Sequence, residues 1–504
     1  MALEEYTDLA RQVDKTFLLR SLGLATAFLL VLQLRGALVN RAKLKAIPTV
    51  GSSGILTSWK DSFKSVFHVR DVIEEGYRTH YGGVFKIPFP DKWMVVVTGN
   101  EKMNDIRKAS DEQLSFADAS IDARNFQMDH TVGHRLSADH YHVDVIRGPL
   151  TRNIVACFAD VQDEIKAAFK DYIPMNKDWT EVPAYQTALQ IVCRASNRMF
   201  VDLPLCRNRD YIDLNINFTV NVTAYAHVLN LFPSFLKPIL GSIFTPRRNA
   251  TAKMEKFLGE TIRERLRQDD LYGKDWPGKP NDVISWLIDA TNGDGERRTV
   301  QDLILRVLVM NFAAIHTTSI TFNIALLSGT RQKQAIAEEG WTKAAMGKMN
   351  QLDSFIKEAQ RRYGSVSVFS MARLVKKDFV FSDGTVVPAG NQIAVAAQSI
   401  HMDEGKYEDP LEFKPWRFYD MRKEEGESNR HQMISLDLDY VLFGNGRPAC
   451  PGRFFAVNEL KTLMSYVLVN FDVKMDKVPE AGWFLSDRYL NPDSKVLFRK
   501  RATV

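Results

Sequence analysis

Residues 443–452 read Phe-Gly-Asn-Gly-Arg-Pro-Ala-Cys-Pro-Gly, and this stretch is the most informative part of the chain. Its three glycines allow backbone conformations that other residues avoid, and they permit close approach to a flat ligand. A helical pattern begins at Arg453, so Cys450 lies just before a helix start. Backbone N–H groups and the helix dipole there favour the thiolate form of cysteine. A thiolate held in this way is suited to ligate iron.

Taken alone, a cysteine in a glycine-rich loop has a second interpretation as a small buried hydrophobic residue. The whole string, however, resembles the haem-binding loop of the cytochrome P450 family, whose defining positions are matched by Phe443, Gly446, Cys450 and Gly452. The resemblance implies haem b with Cys450 as the axial thiolate, which donates electron density to the iron and favours O–O cleavage.

Pro448 departs from the family pattern, which usually has Arg or His there, directed at a haem propionate. Arg447 is the neighbouring candidate for that contact. Arg373 resembles the family's other propionate-binding arginine, and a guanidinium suits a carboxylate geometrically; its alternative is a solvated charge on a strand. The family's Trp-x-x-x-Arg helix has no Trp here, which leaves His142 with Arg147 or Arg152 as weaker candidates.

Glu358 and Arg361 stand three residues apart, on one face of a predicted helix. Such a pair is usually an exposed ion pair of little consequence for stability. Its position about ninety residues before Cys450 resembles the E-x-x-R pair of the family, in which a third residue from a later segment joins the cluster. Arg417 matches that residue, so the resemblance implies that Glu358, Arg361 and Arg417 support the haem face structurally.

Thr317 and His316 interrupt a long apolar helical run that includes Leu303, Val307 and Leu308. A hydroxyl in mid-helix can bond the preceding turn's carbonyl and open the helix locally. In the family this segment crosses the distal haem face, where the Thr helps to deliver protons. His316 replaces the usual acid, as in fungal members that act on terpenoids, and is either a proton donor or a side chain hydrogen-bonded in the helix groove.

The composition excludes several other classes of protein. Of 504 residues, 45% are hydrophobic and 25% charged, which argues against a disordered, collagen-like or polytopic membrane chain. The 66 Lys and Arg exceed the 61 Asp and Glu by only five, and their even spread gives no indication of a nucleic-acid partner. Four cysteines without a CxxC pair argue against a disulfide framework or a structural zinc site.

The amino-terminal pattern predicts a membrane anchor. Residues 17–34 are almost entirely apolar apart from Arg20, and basic residues follow them, which by the positive-inside rule places the body in the cytosol. We therefore expect a luminal segment (1–15), a single transmembrane helix in the endoplasmic reticulum membrane (16–38) and a basic, turn-rich hinge (39–54). A cleaved signal peptide and an amphipathic surface helix are the alternatives.

Residues 55–504 are predicted to form one large, mainly α domain with smaller β-sheets, an α+β fold of the cytochrome P450 type. The segments 84–89 and 93–98 indicate a β-hairpin. Helical periodicity dominates from about residue 150 to 365, short β-rich pieces follow, and a helix returns after Gly452. Compared with the family, the stretch after residue 325 is short by about one helix.

The resemblance implies a membrane-anchored monooxygenase that inserts one atom of O2 into a lipophilic secondary metabolite such as a terpenoid. Electrons from NADPH would arrive through NADPH-cytochrome P450 reductase, with cytochrome b5 as a second candidate donor. Two alternatives are a haem-thiolate isomerase or dehydratase that needs no reductase, and a non-catalytic haem or lipid binder inactivated by the short segment. Substrate contacts are expected around residues 116–132, 313–317, 366–369 and 483–490.

Overall fold

The fold is mainly helical with small β-sheets, as the sequence predicts. The computed structural model describes residues 15–89, 92–121, 127–230, 232–233, 235–327, 349–364, 367–475, 482–484, 486–489, 491 and 493–501. The predicted shortening after residue 325 falls largely on residues 328–348, which lie outside the described residues, and it stays a prediction. The same holds for the luminal segment, except for Lys15.

Helices make up most of the described chain. They are α1 (Lys15–Lys43), α2 (Ile55–Thr79), α3 (Asn100–Lys108), α4 (Phe116–Ile121), α5 (His134–Ala138), α6 (Tyr141–Val145), α7 (Thr151–Asn153), α8 (Phe158–Tyr172), α9 (Ala184–Phe200), α10 (Arg209–Leu229), α11 (Lys237–Phe244), α12 (Pro246–Tyr272), α13 (Val283–Ala290), α14 (Val300–Leu327), α15 (Asn350–Tyr363), α16 (Ala397–His401), α17 (Arg417–Met421) and α18 (Arg453–Asn470). Two π-helical segments, Asp129–Gly133 and Ile146–Leu150, and a 3-10 turn, Leu205–Arg207, accompany them.

Local chemistry accounts for several helix ends. The side chains of Asn208 and Asp282 accept hydrogen bonds from the backbone N–H groups of Tyr211 and Ser285, which caps the starts of α10 and α13. At the other end, α15 stops at Gly364, whose φ of 108° is readily adopted only by glycine.

The strands are β1 (Val84–Pro88), β2 (Trp93–Val97), β3 (Leu114–Ser115), β4 (Thr180–Pro183), β5 (Phe369–Val375), β6 (Phe379–Val380), β7 (Val386–Val387), β8 (Gln392–Ala396), β9 (Phe471–Lys474), β10 (Gly482–Phe484), β11 (Asp487–Tyr489) and β12 (Lys495–Lys500). The largest sheet has the order β1-β2-β8-β5-β3. Its β1–β2 pair is the predicted antiparallel hairpin, with Val84 opposite Val97, and β2 pairs with β8 in parallel.

Two hydrophobic cores divide the body. One gathers the helices around α14, whose Leu303, Val307 and Leu308 are almost completely buried. The other lies beneath the five-stranded sheet, where every residue of β1 and β8 is buried. Burial on both faces explains why these strands are mostly apolar, with Lys86 and Gln392 as exceptions, rather than alternating.

The predicted hinge is partly docked on the body. Leu44, Ile47 and Val50 belong to the core beneath the sheet. The Lys86 ammonium in β1 donates hydrogen bonds to the carbonyls of Leu44, at 2.8 Å, and of Ile47. The segment is therefore packed from residue 44 to 50, because its apolar side chains and its carbonyls find partners on β1.

Helix α1 contains the predicted anchor, and its Phe28, Val31 and Leu34 are each more than half exposed. Among helices with fully described side chains, Val300–Leu326 in α14 is long and apolar enough to cross a bilayer. That helix is mostly buried in the protein, so it is a core helix. The membrane anchor stays a prediction.

Candidate active site

The loop at residues 443–452 is closed by its own backbone. The Cys450 N–H donates to the Phe443 carbonyl at 2.8 Å, and the Ala449 N–H donates to the Gly446 carbonyl at 3.1 Å. Gly446 has a φ of 75°, and a Cβ added there would lie 2.6 Å from the Arg107 carbonyl. This position therefore requires glycine for both conformation and space.

Two opposing effects act on the pKa of the Cys450 thiol. The backbone N–H groups of Gly452 and Arg453, at the start of α18, lower its pKa, as expected from the sequence. Burial is the larger cause, however, and the net result is a raised pKa. The loop alone therefore does not secure the thiolate, and a bound cation would have to supply the remaining stabilisation.

A cavity of about 490 Å³ lies over the loop, next to Pro448 and Pro451. Val309 of α14 faces it from one side, and Phe116 and Met128 face it from the expected substrate-contact segment. Four basic side chains also line it, those of His140, His142, Arg147 and Arg447, together with one carboxyl group, that of Asp111. An apolar space with basic groups suits a flat macrocycle that carries carboxylates.

Arg373 of β5 is a buried guanidinium, with only 3% of its surface exposed. Its described hydrogen-bond partners are two carbonyls, those of Ala372 at 2.7 Å and Asn445 at 3.4 Å. Burial lowers its pKa to about 10. The guanidinium lies 5.6 Å from the centroid of the Phe116 ring, which lines the cavity. A buried cation bonded to neutral carbonyls favours an anionic ligand such as a propionate.

Residues 141–150, which contribute His142 and Arg147 to the cavity, form an irregular helical segment. His142 lies in α6, and the π-helical turn Ile146–Leu150 follows it. Arg147 lies within that turn, five residues after His142. Arg147 donates to the Arg447 carbonyl at 2.9 Å. The structure thus brings His142 and Arg147 to the same cavity despite the missing Trp-x-x-x-Arg pattern.

Arg306, which the sequence reasoning missed, holds His142 in place. Its Nη1 lies 3.0 Å from His142 Nδ1, which accepts this hydrogen bond. Burial and the Arg306 charge lower the pKa of His142 to about 3, so His142 is neutral. Asp302, four residues earlier on α14, pairs with Arg306, and that spacing was the signal available in the sequence.

Thr317 points into open space although its helix crosses the core. Its Oγ1 donates to the Ala313 carbonyl, 2.7 Å away, and its side chain is exposed. This is the bond to the preceding turn that a mid-helix hydroxyl was expected to make. The hydroxyl is therefore accessible to a ligand beside α14.

His316 is engaged on another side of α14. Its Nε2 lies 3.0 Å from the Ile216 carbonyl of α10, so this nitrogen is the donor. Nδ1 therefore accepts from the Tyr185 hydroxyl of α9, also at 3.0 Å. Burial lowers the pKa of the ring. In the neutral ring both nitrogens are engaged, which favours the interpretation of His316 as a side chain that is hydrogen-bonded in the helix groove. Neither nitrogen then carries a free N–H that could donate a proton to a ligand.

The structure brings Glu358, Arg361 and Arg417 together in the core. Arg361 binds both Glu358 oxygens, at 2.7 and 2.8 Å, and Arg417 Nε lies 3.2 Å from each of them. Glu358 and Arg361 are fully buried. The remaining Arg361 donors bind carbonyls of His401, Pro410 and Glu412. The cluster fastens α15 to the chain that leads toward Cys450, in keeping with a structural role.

Residues 68–484 match the model of a family described as Cytochrome P450. The chain belongs to this family. It is 39% identical over 475 residues to Cytochrome P450 monooxygenase 151 of Postia placenta, an alignment that covers 91% of this chain and 95% of that protein. It is 30% identical to Cytochrome P450 monooxygenase CYP512U6 of Ganoderma lucidum, with 91% and 92% covered. The chain is a cytochrome P450 monooxygenase resembling fungal ones.

A solved structure described as retinoic acid bound cyanobacterial CYP120A1 superposes with a TM-score of 0.65. It is 16% identical and is covered to 98% by 90% of this chain, which shows a shared fold.

P450 membership implies haem with a cysteine thiolate on its iron, a redox partner and a small-molecule substrate. The residues of this chain fit that cofactor. Cys450 would ligate the iron, and the buried Arg373 would bind a propionate. Arg147 and Arg447 line the cavity and offer further contacts to carboxylates.

Proposed function

We propose that this chain is a membrane-anchored monooxygenase that inserts one atom of O2 into a lipophilic secondary metabolite such as a terpenoid. NADPH would supply the electrons through NADPH-cytochrome P450 reductase. The observation that carries the proposal is the mainly apolar cavity that joins the Cys450 loop to α14. Bound haem supplies the oxidising chemistry, while the protein binds, orients and controls protons.

Individual residues would have separate roles in this reaction. Cys450 binds the cofactor and Arg373 orients it through its carboxylates. Phe116, Met128 and Val309 exclude water from the substrate side of the cavity. Thr317 Oγ1 holds a proton, directed at rest to the Ala313 carbonyl, and its exposed hydroxyl can turn toward a bound ligand.

The choice of a lipophilic substrate rests on this lining and on the membrane anchor. The exposed apolar residues of α1 support insertion into a bilayer, where a lipophilic substrate would also concentrate. The basic residues after the apolar run support an endoplasmic reticulum protein whose body faces the cytosol. The His316 pattern shared with fungal enzymes of terpenoid metabolism favours that substrate class by analogy.

Charge supports a reductase as the electron donor. Arg147 and Arg447 reach the surface around the Cys450 loop, and Arg453 lies at the start of the following helix. A basic surface steers an acidic partner into an encounter complex. Cytochrome b5 is proposed as a second donor that would use the same attraction.

The test is a reconstitution in microsomes that contain the full chain. Terpenoids would be supplied with reductase, NADPH and oxygen, and each of the three would be omitted in turn. We expect oxygenated product only in the complete mixture. Product without reductase would instead indicate an isomerase or dehydratase. A normal ferrous–CO spectrum without product from any terpenoid would contradict the proposed substrate class.

A further inference from the structure

A buried chain of three hydrogen bonds connects α14 with the segment that leads to Cys450. Thr321 Oγ1 donates to the Thr317 carbonyl at 3.0 Å, and Gln360 Nε2 donates to Thr321 Oγ1 at 3.1 Å. Tyr440 Oη then donates to Gln360 Oε1 at 3.0 Å. Thr321, Gln360 and Tyr440 are all buried. The chain links α14, through Gln360 of α15, to the segment before Cys450 by protein atoms alone.

Tyr440 is the fixed end of this chain. Its ring stacks on His401, with centroids 5.1 Å apart, and the Phe418 ring meets it edge-on at 5.7 Å. The Lys357 ammonium lies 4.6 Å from the centroid of the same ring. With its ring held by these neighbours, the Tyr440 hydroxyl cannot turn away from Gln360. The amide of Gln360 is thereby oriented with its N–H group toward Thr321.

That orientation determines where the Thr321 proton points. Gln360 Nε2 occupies a lone pair of Thr321 Oγ1, and the hydroxyl proton is directed at the Thr317 carbonyl. Thr317 itself bonds the Ala313 carbonyl. Two successive turns of α14 therefore carry a hydroxyl bonded to a backbone carbonyl, an arrangement that bends helices. The conformation around Thr317 depends on Gln360 through Thr321.

We propose that Gln360 is a positioning residue for the oxidation: it fixes Thr321, and thereby the shape of α14 at the Thr317 hydroxyl. This inference rests on the proposed function, because it takes the Thr317 hydroxyl as the group that handles protons. Gln360 lies between Glu358 and Arg361 in sequence, yet its amide bonds neither of them. Its role is separable from that of the buried ion cluster.

The test compares the C–O stretching frequency of the ferrous–CO complex between the wild-type protein and its variants. This frequency reports the polar environment above the iron, and its measurement needs no substrate. We expect Gln360→Leu and Thr321→Val to shift the frequency in the same direction. The double variant should shift it no further than the larger single change, because both act through one contact. Thr321→Ser, which keeps the hydroxyl, should restore the original frequency.

Gln162→Leu is the matched control, because Gln162 is also buried but its Nε2 has no hydrogen-bond partner among the described residues. It should leave the frequency unchanged. In turnover with NADPH and reductase, peroxide released per NADPH should rise several-fold in Gln360→Leu and Thr321→Val alone. A purely structural role would instead lower the haem content of Gln360→Leu and Thr321→Val without raising the peroxide released per NADPH.

Two results would overturn the inference: an unchanged frequency in Gln360→Leu with full haem content, or additive shifts in the double variant. Should Gln360→Leu fail to fold, Thr321→Val and Tyr440→Phe test the same chain from its two ends, and unchanged frequencies in both would overturn it. Failure of the proposed function looks different, since wild-type protein would then give a normal CO complex but no product.

Discussion

The Glu358 cluster and helix α14 differ in how completely their buried polar groups are paired. Around the Glu358 cluster, every nitrogen of the Arg361 guanidinium donates a hydrogen bond. On α14, the Ser319 hydroxyl and both amide atoms of Asn323 are buried without a hydrogen-bond partner among the described residues. An unpaired buried polar group costs about 1–3 kcal/mol.

This difference indicates a division of labour. The Glu358 cluster is fixed by the full pairing of the Arg361 guanidinium, which suits a support that must not move. Helix α14 retains polar groups that destabilise the folded state, as is common where a site must rearrange or take up water. Changes in the Glu358 cluster or at Cys450 should therefore act on folding and cofactor binding, whereas changes in α14 should act on the reaction.

The largest effect is expected for Cys450→Ala, which removes the proposed iron ligand. Thiolate ligation should be lost completely, as measured by the ferrous–CO difference spectrum of the protein in microsomes. The control is Cys206→Ala, since Cys206 is buried away from the cavity. A thiolate-type spectrum that persists in Cys450→Ala would contradict the assignment of Cys450 as the iron ligand.

Glu358→Gln tests the paired region directly, because it leaves Arg361 and Arg417 buried without their anion. Breaking a buried ion pair on one side typically costs about 3–5 kcal/mol. We expect a loss of that size in urea unfolding, with a lower yield of haem protein. Glu264→Gln, which removes an exposed partner of Arg267, should leave unfolding unchanged. Equal stability of the two variants would contradict the importance of the buried Glu358 cluster for folding.

His316→Ala separates the two interpretations of the residue beside Thr317. Losing the hydrogen bonds to Tyr185 and Ile216 should lower stability by about 1–3 kcal/mol, because a buried hydroxyl and a carbonyl lose their partner. Product formed per NADPH, and its dependence on pH, should stay as in the wild type. Uncoupling with unchanged stability would instead identify His316 as a proton donor.

A pH-dependent effect concerns Glu459 of α18. Burial raises its pKa to about 8 from 4.5, so between these values the folded chain holds a proton that the unfolded chain has released. The stability contributed by this proton is present below pH 4.5 and is lost as the pH rises through 8.

Glu459→Gln should therefore flatten the stability profile between pH 4.5 and 8, as measured by urea unfolding. The loss at acid pH should remain, because His401, with a pKa lowered to about 3 by burial, contributes the opposite slope. An unchanged slope between pH 4.5 and 8 would show that Glu459 is ionised in the folded protein.

Features encoded locally could be predicted from the sequence. The turn at Gly446, the hairpin of β1 and β2 and the start of α18 at Arg453 depend on residues close to one another in the chain. The Glu358 cluster could be predicted because its spacing resembles the family pattern. Of the expected substrate-contact segments, 116–132 lines the cavity, whereas no described residue of 313–317, 366–369 or 483–490 does.

Features set by distant contacts could not be predicted. The ring of His316 is oriented by Tyr185 and Ile216, each at least 100 positions away. The π-turn Ile146–Leu150, which contains Arg147, changes the helical period, and a regular pattern does not reveal it. Likewise, the pKa of Cys450 depends on burial by the whole fold, and burial outweighed the local influence of α18.

The bond between Lys86 and the carbonyls of Leu44 and Ile47 has a mechanical consequence. Asn40 near the end of α1 also bonds Asn391, next to β8. A tilt of α1 would be transmitted directly to the five-stranded sheet, because residues 44–50 are packed against it and do not form a flexible linker. Helix α1 is thus mechanically coupled to the catalytic body. A bilayer that held α1 would therefore set the orientation of the cavity relative to the membrane.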